Sequence, residues 1–242
     1  MSNALFIAFE GGEGSGKSTQ AERLLQRFSE SGHQAILVRE PGTTTLGLYL
    51  REYLKSKRPL TLEAELLLFA AARAQLVAEE IRPTLQRGIT VVADRYTGST
   101  VAYQGFGRGI RRDVIDYLNE YVTGGLNPDI TFLLDTEPTD GLRRVGSPQL
   151  QMALLPEENA GVGRADVAEQ RRFEDQAISF HNRVRRGYLE LAGTGTGWEV
   201  VDARLPIEEL SDLVWNAVRR VLAEATASDV SVAATALSRV KE

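Results

Sequence analysis

The sequence predicts an α/β fold in which a parallel β-sheet carries helices on both faces. Short runs of four to six apolar residues recur along the chain, and amphipathic helical patterns lie between them. An unbroken apolar run is typical of a strand that is buried on both sides, as the strands of a parallel sheet are. The alternation of such strands with helices favours the same architecture.

Five apolar runs are the candidate strands. They are Ala4–Phe9, Ala35–Val38, Ile89–Ala93, Ile130–Leu134 and, more weakly, Trp198–Val201. In open parallel sheets, ligands bind beyond the carboxyl ends of the strands. We therefore expect the functional residues to follow the first four runs directly.

Apolar residues at helical spacing fill the intervals between the runs. The main patterns span residues 21–28, 63–81, 173–191 and 207–221. The third pattern stops at Gly193, a typical C-terminal signal, and the fourth is opened by Pro206, which suits the start of a helix. The pattern over 63–81 predicts one long, largely buried helix.

Two segments lack this order. Residues 145–167 hold two prolines and three glycines without a clear period, so we expect a long mobile loop, or a lid that spans about residues 143–172 with its flanks. Residues 223–242 are rich in alanine, serine, threonine and valine, and we expect a flexible tail that is helical in part. Residues 1–222 would then form one domain.

Composition excludes several classes of function. The 242 residues contain no cysteine, which excludes a disulfide framework, a thiolate metal site and a cysteine nucleophile. With only two histidines, a histidine-rich metal centre is not expected. The net charge of −5 does not favour a protein that binds nucleic acid.

The apolar runs are too short to indicate a membrane protein. A helix that spans a bilayer needs roughly 20 apolar residues, and the longest runs, Leu66–Ala72 and Ala4–Phe9, are far shorter. No basic segment precedes Ala4–Phe9, so the start of the chain does not resemble a signal peptide. We expect a cytoplasmic protein that binds neither a membrane nor nucleic acid.

The most specific motif follows the first apolar run. Residues 11–18, GGEGSGKS, fit the pattern G-x-x-x-x-G-K-[ST], for which a chance match in a chain of this length is on the order of 1%. Glycines let successive N–H groups point at a polyphosphate, and the helix that follows adds its positive end. Lys17 would reach the β- and γ-phosphates, and Ser18 would be a ligand of Mg²⁺. The predicted ATP-binding residues are Gly11, Gly12, Glu13, Gly14, Ser15, Gly16, Lys17, Ser18 and Thr19.

Three classes of protein use such a site. A GTPase needs the guanine-binding motif N-K-x-D, and the chain contains no Asn-Lys pair. A motor or transporter ATPase couples hydrolysis to a second domain or a partner ring, for which little chain is left. A small-molecule kinase needs an acceptor pocket and arginines at the strand ends.

Charged residues of the kind that a kinase needs follow two predicted strands. Asp94 and Arg95 come after the third run, and Arg39 comes after the second. The carboxylate can hold Mg²⁺ through water, and a guanidinium can bind a phosphate with two hydrogen bonds. Either arginine alone is better explained by a surface ion pair, but two of them at ligand-facing strand ends favour a phosphate site.

Together these motifs resemble the thymidylate kinase (dTMP kinase) family. The similarity covers residues 4–222 and rests on five motifs in family order. They are FEGGEGSGKSTQ at 9–20, REPG at 39–42, LLFAAARAQ at 67–75, DRYTGSTVAYQG at 94–105 and GYLELA at 187–192. The resemblance implies the nucleoside monophosphate kinase fold with a five-stranded parallel sheet, transfer of the γ-phosphate of ATP to dTMP, Mg²⁺, and a homodimer.

The resemblance also implies roles around the acceptor phosphate and sugar. Arg39 and Arg95 would hold the dTMP phosphate, and Arg95 would also reach the transferred group. Glu13 would contact the sugar 3′-hydroxyl or its water and metal shell. Tyr103 would pack under the sugar and disfavour a 2′-hydroxyl.

A second set of implied roles concerns the base. Phe69 would stack on thymine, Arg73 would donate to its O4, and Thr100 and Gln104 would also reach it. The residues support this independently, since Phe69 and Arg73 lie four apart on one helix face. Taken alone, that pair is better explained as a core phenylalanine and a surface ion pair.

The transition state needs a further cation, and residues 12–15 contain none. The resemblance implies that the lid supplies it, through Arg172 or, as the alternative, Arg164. Arg144 would stack on adenine, and Ala203 would offer it backbone contacts.

The sequence departs from the family pattern at Thr43, Ala72, Leu76 and Arg171. Ala72 stands where an aspartate normally precedes Arg73, so we expect Arg73 to lack a carboxylate partner and to be held less firmly. The arginines of 183–186 are more simply a solvated basic face. Two alternatives stay open: a kinase of this fold acting on another nucleotide or nucleoside, and a nucleotide-binding module whose altered lid has lost transfer.

Overall fold

The computed structural model describes residues 4–56, 59–146 and 164–239, except for the side chains of Lys55, 164–177 and 225–239. Its centre is a sheet of five parallel strands in the order β2-β3-β1-β4-β5. The strands are β1 Phe6–Glu10, β2 Ala35–Arg39, β3 Thr90–Asp94, β4 Ile130–Asp135 and β5 Trp198–Asp202. The predicted five-stranded parallel sheet is confirmed, and each strand coincides with one apolar run to within two residues at either end.

Helices connect the strands. They are α1 Lys17–Glu30, α2 Thr45–Lys55, α3 Leu62–Leu76, α4 Arg82–Gln86, α5 Thr97–Thr100, α6 Arg112–Thr123, α7 Pro138–Arg144, α8 Arg164–Thr194 and α9 Ile207–Arg239. Two π-helical segments, Val77–Ile81 and Val101–Gly107, continue α3 and α5. No helix in the described ranges combines the length and apolarity needed to cross a bilayer.

The core lies on both faces of the sheet, because successive residues of a strand point to opposite sides. On one face, Ile7 of β1 belongs to a buried cluster with Phe28 of α1 and Val214 of α9. On the other face, Phe6 packs in a cluster with Ile81 and its π-helical neighbours. All five residues of β1 are buried, which explains why its first four residues are apolar.

The strand register brings the carboxyl ends of β1, β2 and β3 to one edge. Phe9 of β1 pairs with Asp94 of β3, and Arg39 of β2 pairs with Asp94 from the other side. The loop that follows β1 therefore lies beside the residues that follow β2 and β3. This edge is where the sequence predicts the functional residues.

The helix predicted over 63–81 is present, but its last five residues wind as a π-helix. α3 begins at Leu62, after the Thr61 hydroxyl accepts a hydrogen bond from the Ala64 N–H at 3.2 Å. After Leu76 the backbone winds as a π-helix before α4 begins. Apolar spacing did not reveal this change, because one wider turn only shifts the buried face gradually.

The two segments without clear order are more helical than expected. α8 begins at Arg164, so the last residues of the predicted loop 145–167 are helical, and residues 147–163 lie outside the described residues. α9 continues to Arg239, so the backbone of 223–239 is helical without a break at the expected boundary. Alanine, which is abundant in that tail, is the residue that favours helices most.

Candidate active site

A cavity of about 970 Å³ opens at the carboxyl edge of the sheet. The phosphate loop, residues 11–18, forms one side of it, and α3 with residues 95–104 forms the other. The predicted site residues that line it are Glu13, Gly14, Ser15, Gly16, Lys17, Ser18, Thr19, Arg39, Phe69, Arg73, Asp94, Arg95, Thr100, Tyr103, Gln104, Arg144 and Ala203. The cavity therefore lies beyond the strand ends, where the sequence predicts the functional residues.

The phosphate loop joins β1 to α1 in a tight turn. Gly14 and Gly16 have φ angles of 66° and 90°, in the region that favours glycine. Gly11 approaches β4 so closely that a Cβ at this position would lie 2.5 Å from a carbonyl oxygen of that strand. The Lys17 ammonium folds back and donates to the Gly12 oxygen at 2.6 Å. Because α1 begins at Lys17, the positive end of that helix faces the cavity.

Burial changes the acid–base behaviour of Lys17. Its side chain is 6% exposed. Burial and, secondly, the positive charge of Arg95 lower the pKa of Lys17 from 10.5 to about 7, although Glu13 and Asp94 favour its charged form. An anion placed in the loop would restore that charge.

The phosphate loop packs against α7 through a close contact between two glycines, Gly14 and Gly141. A Cβ on Gly14 would lie 2.0 Å from the Gly141 oxygen, and a Cβ on Gly141 would lie 2.1 Å from the Glu13 oxygen. The backbones therefore touch without room for a side chain on either residue. The sequence motif did not reveal this role of Gly141, because it depends on a contact across the fold.

Oxygen atoms suited to a magnesium ion meet beside the loop. The Ser18 hydroxyl donates to Asp94 Oδ2 at 2.6 Å, and Arg39 Nε donates to the same oxygen at 3.0 Å. Within the described residues, no group of three metal-binding side chains exists. Mg²⁺ takes few protein ligands and keeps water and phosphate oxygens, so one hydroxyl with one carboxylate fits its chemistry.

Arg95 lies at the centre of the site. Its φ of 77° is the only positive value among the described residues other than glycine. The guanidinium donates to the Gly11 oxygen at 3.2 Å and to Glu13 Oε1 at 3.1 Å. The Tyr103 hydroxyl donates to the same Glu13 oxygen at 3.0 Å, and the Tyr103 ring lies 5.2 Å below the guanidinium carbon. The structure thus joins three of the predicted acceptor residues in one cluster.

A buried carboxylate, Glu10, supports this cluster and was missed by the sequence analysis. It accepts hydrogen bonds from the Tyr96 and Ser99 N–H groups and from the hydroxyls of Ser99 and Tyr188. Both hydroxyls in turn accept from Arg95 at 3.2 Å. Burial raises the pKa of Glu10. The sequence signal that could have revealed this role of Glu10 is a charged residue at the end of an apolar strand.

Arg73 is buried and fully paired, with 2% of its surface exposed. It donates to Glu40 through Nε and Nη2, with distances of 2.9 and 2.7 Å to Oε2. Its remaining N–H groups donate to Thr100, Asn119 and the Tyr96 oxygen. The expectation that Arg73 lacks a carboxylate partner is therefore wrong, because Glu40, which follows β2, replaces the missing neighbour. The surface ion pair considered as an alternative is wrong as well.

The far wall of the cavity is less polar. Phe69 is half-buried and Gln104 is buried, and both line the cavity with Thr100. The Gln104 amide nitrogen donates to Glu65 Oε1 at 2.9 Å. Phe69 is thus a half-buried part of the cavity wall and does not lie in the closed core.

Arg144 lies at the opposite end of the cavity, beside the phosphate loop. It donates to the Ala203 oxygen at 2.9 Å and reaches the Gly14 oxygen at 3.5 Å. The structure therefore brings together the two residues that the resemblance assigns to adenine.

The arginines of 183–186 are a solvated face only in part: Arg183 and Arg186 are exposed as expected, but Arg185 is half-buried. Arg185 binds Asp135 with two hydrogen bonds of 2.8 and 2.9 Å and also pairs with Glu137. Arg183 donates to the Gly107 oxygen at 3.0 Å. These contacts fasten α8 to the end of β4 and to the 101–107 segment. The side chains of Arg164 and Arg172 lie outside the described residues.

Comparison with known proteins agrees with this architecture. The family model described as thymidylate kinase matches residues 9–214. A thymidylate kinase of Nitratidesulfovibrio vulgaris is 43% identical over 221 residues, which cover 90% of this chain and 97% of the relative. That of Deinococcus radiodurans is 42% identical over 223 residues, with coverage of 90% and 98%.

A solved structure is also similar. The crystal structure of thymidylate kinase from Ehrlichia chaffeensis has a TM-score of 0.69 and 29% identity, and the match covers 89% of this chain and 98% of that one. The five family motifs and the phosphate loop fall within residues 9–214, which the family model matches. The chain belongs to the thymidylate kinase family.

Proposed function

We propose that this protein transfers the γ-phosphoryl group of ATP to dTMP, giving dTDP and ADP. One observation carries the proposal: the phosphate loop shares a single cavity with Phe69, Thr100 and Gln104, and Arg39 and Arg95 line the same cavity. Membership of the thymidylate kinase family supports the same activity. An enzyme that joins two anionic substrates needs this arrangement, since it has to align them and offset their charge.

The transfer proceeds in line, without a covalent intermediate on the protein. An oxygen of the dTMP phosphate attacks the γ-phosphorus while the bond to the β-phosphate oxygen breaks. Lys17 and the loop N–H groups hold the donor phosphates, and Arg39 and Arg95 hold the acceptor phosphate. Ser18 and Asp94 would hold Mg²⁺, which neutralises phosphate charge when bound.

The acceptor nucleoside occupies the pocket beyond Arg95. Phe69 stacks on the base, Thr100 and Gln104 reach its polar edge, and Tyr103 with Glu13 contacts the sugar. All five N–H groups of Arg73 bind protein oxygens, so a bond to thymine O4 requires the exchange of one of them. Arg144 with the Ala203 backbone contacts adenine at the other end.

A panel of acceptors tests the activity. Release of ADP is measured with dTMP, dUMP, CMP and thymidine at equal concentration. We expect dTMP to be turned over fastest. A faster reaction with another acceptor would favour a different kinase of this fold, and ATP binding without ADP release would favour a binding module.

The lid supplies the remaining cation through Arg172 or Arg164. Substitution Arg172→Ala should lower turnover by about 10³-fold while dTMP affinity changes little. An unchanged rate would assign the role to Arg164. The comparison requires both variants, measured for turnover and dTMP binding separately.

The protein is further proposed to be a homodimer in the cytoplasm. Large apolar side chains are exposed on α2, α3 and α6, and α3 packs against both of the other helices. They include Tyr49, Leu67, Tyr117 and Tyr121. A second copy of the chain is the occupant that the family resemblance favours for this face.

A further inference from the structure

The side-chain amide of Gln104 has a defined direction. Its nitrogen donates to Glu65 Oε1 at 2.9 Å. A carboxylate only accepts hydrogen bonds, so the amide cannot turn its oxygen toward Glu65 without placing two acceptors together. Gln104 is buried and lines the cavity, and no described residue donates to its amide oxygen. That oxygen is therefore the acceptor left for a ligand.

A second contact holds Glu65 in place. Arg108 donates to Glu65 Oε2 at 3.2 Å through Nη2, and its Nε lies 3.4 Å from Oε1. The Arg108 guanidinium also stacks 5.2 Å above the Phe180 ring centre. The carboxylate thus receives hydrogen bonds from two sides, from Arg108 on the outside and from Gln104 on the inside.

We propose that Glu65 is a specificity-determining positioning residue, which acts through Gln104 to select a pyrimidine that carries a hydrogen on N3. The inference rests on the proposed function and deepens it. It assigns base selection partly to a residue that lies behind the cavity wall.

The chemistry of the bases explains the selection. Thymine has a donor at N3 and an acceptor at O4, whereas 5-methylcytosine has an acceptor at N3 and a donor at N4. The Gln104 oxygen matches the N3–H of thymine, and its second amide proton suits the neighbouring O4. If the Gln104 amide keeps this direction, its oxygen would face the N3 acceptor of 5-methylcytosine. Its nitrogen would face the N4 donor. Such mismatches cost far more than the absence of one contact.

Substitution Glu65→Gln should release or reverse this direction. The Arg108 guanidinium has only donors, so it would donate to the new amide oxygen of residue 65. The amide nitrogen of residue 65 would then turn toward Gln104. Gln104 would then rotate and present its nitrogen to the base. Size and shape at position 65 are unchanged, so the test isolates the hydrogen-bond direction.

The measured quantity is the ratio of kcat/KM for dTMP to kcat/KM for 5-methyl-dCMP. We expect Glu65→Gln to lower this ratio at least tenfold. Glu63→Gln, an exposed position on the same helix, is the matched control and should leave the ratio within about twofold. In Glu65→Asp the carboxylate still only accepts hydrogen bonds, so the ratio should stay high even where the affinity for dTMP falls.

Two results would overturn the inference. One is an unchanged ratio in Glu65→Gln together with slower turnover of both substrates, which is the effect of a merely structural residue. The other is an equal fall in the Glu63→Gln control. Should Glu65→Gln not fold, Glu65→Met removes the acceptor with similar length and should lower the ratio in the same way. Failure of the wild type to phosphorylate dTMP would instead refute the proposed function.

Discussion

At the scale of single residues, the site shows how burial prepares a side chain for its ligand. Lys17 is enclosed by the phosphate loop, and its ammonium binds only loop oxygens, Gly12 O and Ser15 Oγ, within the described chain. Burial lowers its pKa to about 7. In the free protein the charged form of Lys17 is therefore unfavourable, and a bound polyphosphate supplies the negative charge that stabilises it.

Binding of ATP should be accompanied by proton uptake above neutral pH. At pH 8 the Lys17 of the free protein is largely neutral, because its pKa is about 7, and the phosphates raise that pKa again. Calorimetric titration in buffers with different ionisation enthalpies measures the uptake, which we expect to approach one proton at pH 8 and to vanish near pH 6.

The matched variant is Lys17→Arg, which stays charged at both pH values and should take up no proton. Heats that do not depend on the buffer at pH 8 would contradict the assignment. The lowered pKa of Lys17 also affects stability. Between pH 7 and about 10 the unfolded chain binds more protons at Lys17 than the folded chain does, so the free energy of unfolding rises with pH.

At the scale of elements, the phosphate loop is held from two directions. Gly11 lies against β4, and Gly14 lies against Gly141 of α7. α7 also carries Arg144, whose guanidinium reaches the Gly14 oxygen at 3.5 Å. A helix of seven residues therefore fixes the loop and one end of the cavity at once.

Substitution Gly141→Ala tests this contact. The new Cβ would lie 2.1 Å from the Glu13 oxygen, so the loop or α7 has to move. We expect unfolding free energy to fall by about 1–3 kcal/mol and ATP affinity to fall at least tenfold. Denaturant unfolding and ATP titration measure the two effects.

Gly193→Ala is the control for the same chemical change. This glycine lies near the end of α8, where an added Cβ meets nothing within 4 Å, and alanine favours a helix by up to about 1 kcal/mol. Activity should be unchanged and stability equal or higher. If both variants bound ATP as the wild type does, the contact with α7 would not position the loop.

At the scale of the whole molecule, the sheet and the phosphate loop could be predicted because their signals are local. An unbroken apolar run such as Ala4–Phe9 indicates a buried strand by itself, and GSGKS carries its own turn chemistry. Pairings such as Arg73 with Glu40 could not be predicted, because these residues are 33 positions apart. The same holds for Glu10 and Gly141, whose roles arise only when distant segments meet.

The proposed homodimer can be tested at the exposed apolar side chains of α2, α3 and α6. The sedimentation of the protein should correspond to twice 26.6 kDa. Tyr121→Glu should shift it to the monomer, because Tyr121 is 74% exposed on α6 and a charge placed there would be buried in the interface without a partner. Leu213→Glu, on α9 away from this face, should leave the dimer intact. A wild type that sediments at 26.6 kDa would refute the proposal.

The positive φ of Arg95 has a consequence for any effort to make the protein more robust. Glycine adopts such a backbone freely, whereas a residue with a Cβ gives up about 1–2 kcal/mol. Among truncations of this position, glycine should therefore melt at a higher temperature than alanine, which reverses the order normally found. A screen that ranks truncations of this position by heat resistance alone would therefore favour glycine, although neither truncation keeps the guanidinium that we propose to hold the acceptor phosphate. At this point of the chain, heat resistance therefore ranks the truncations by backbone freedom and says nothing about turnover.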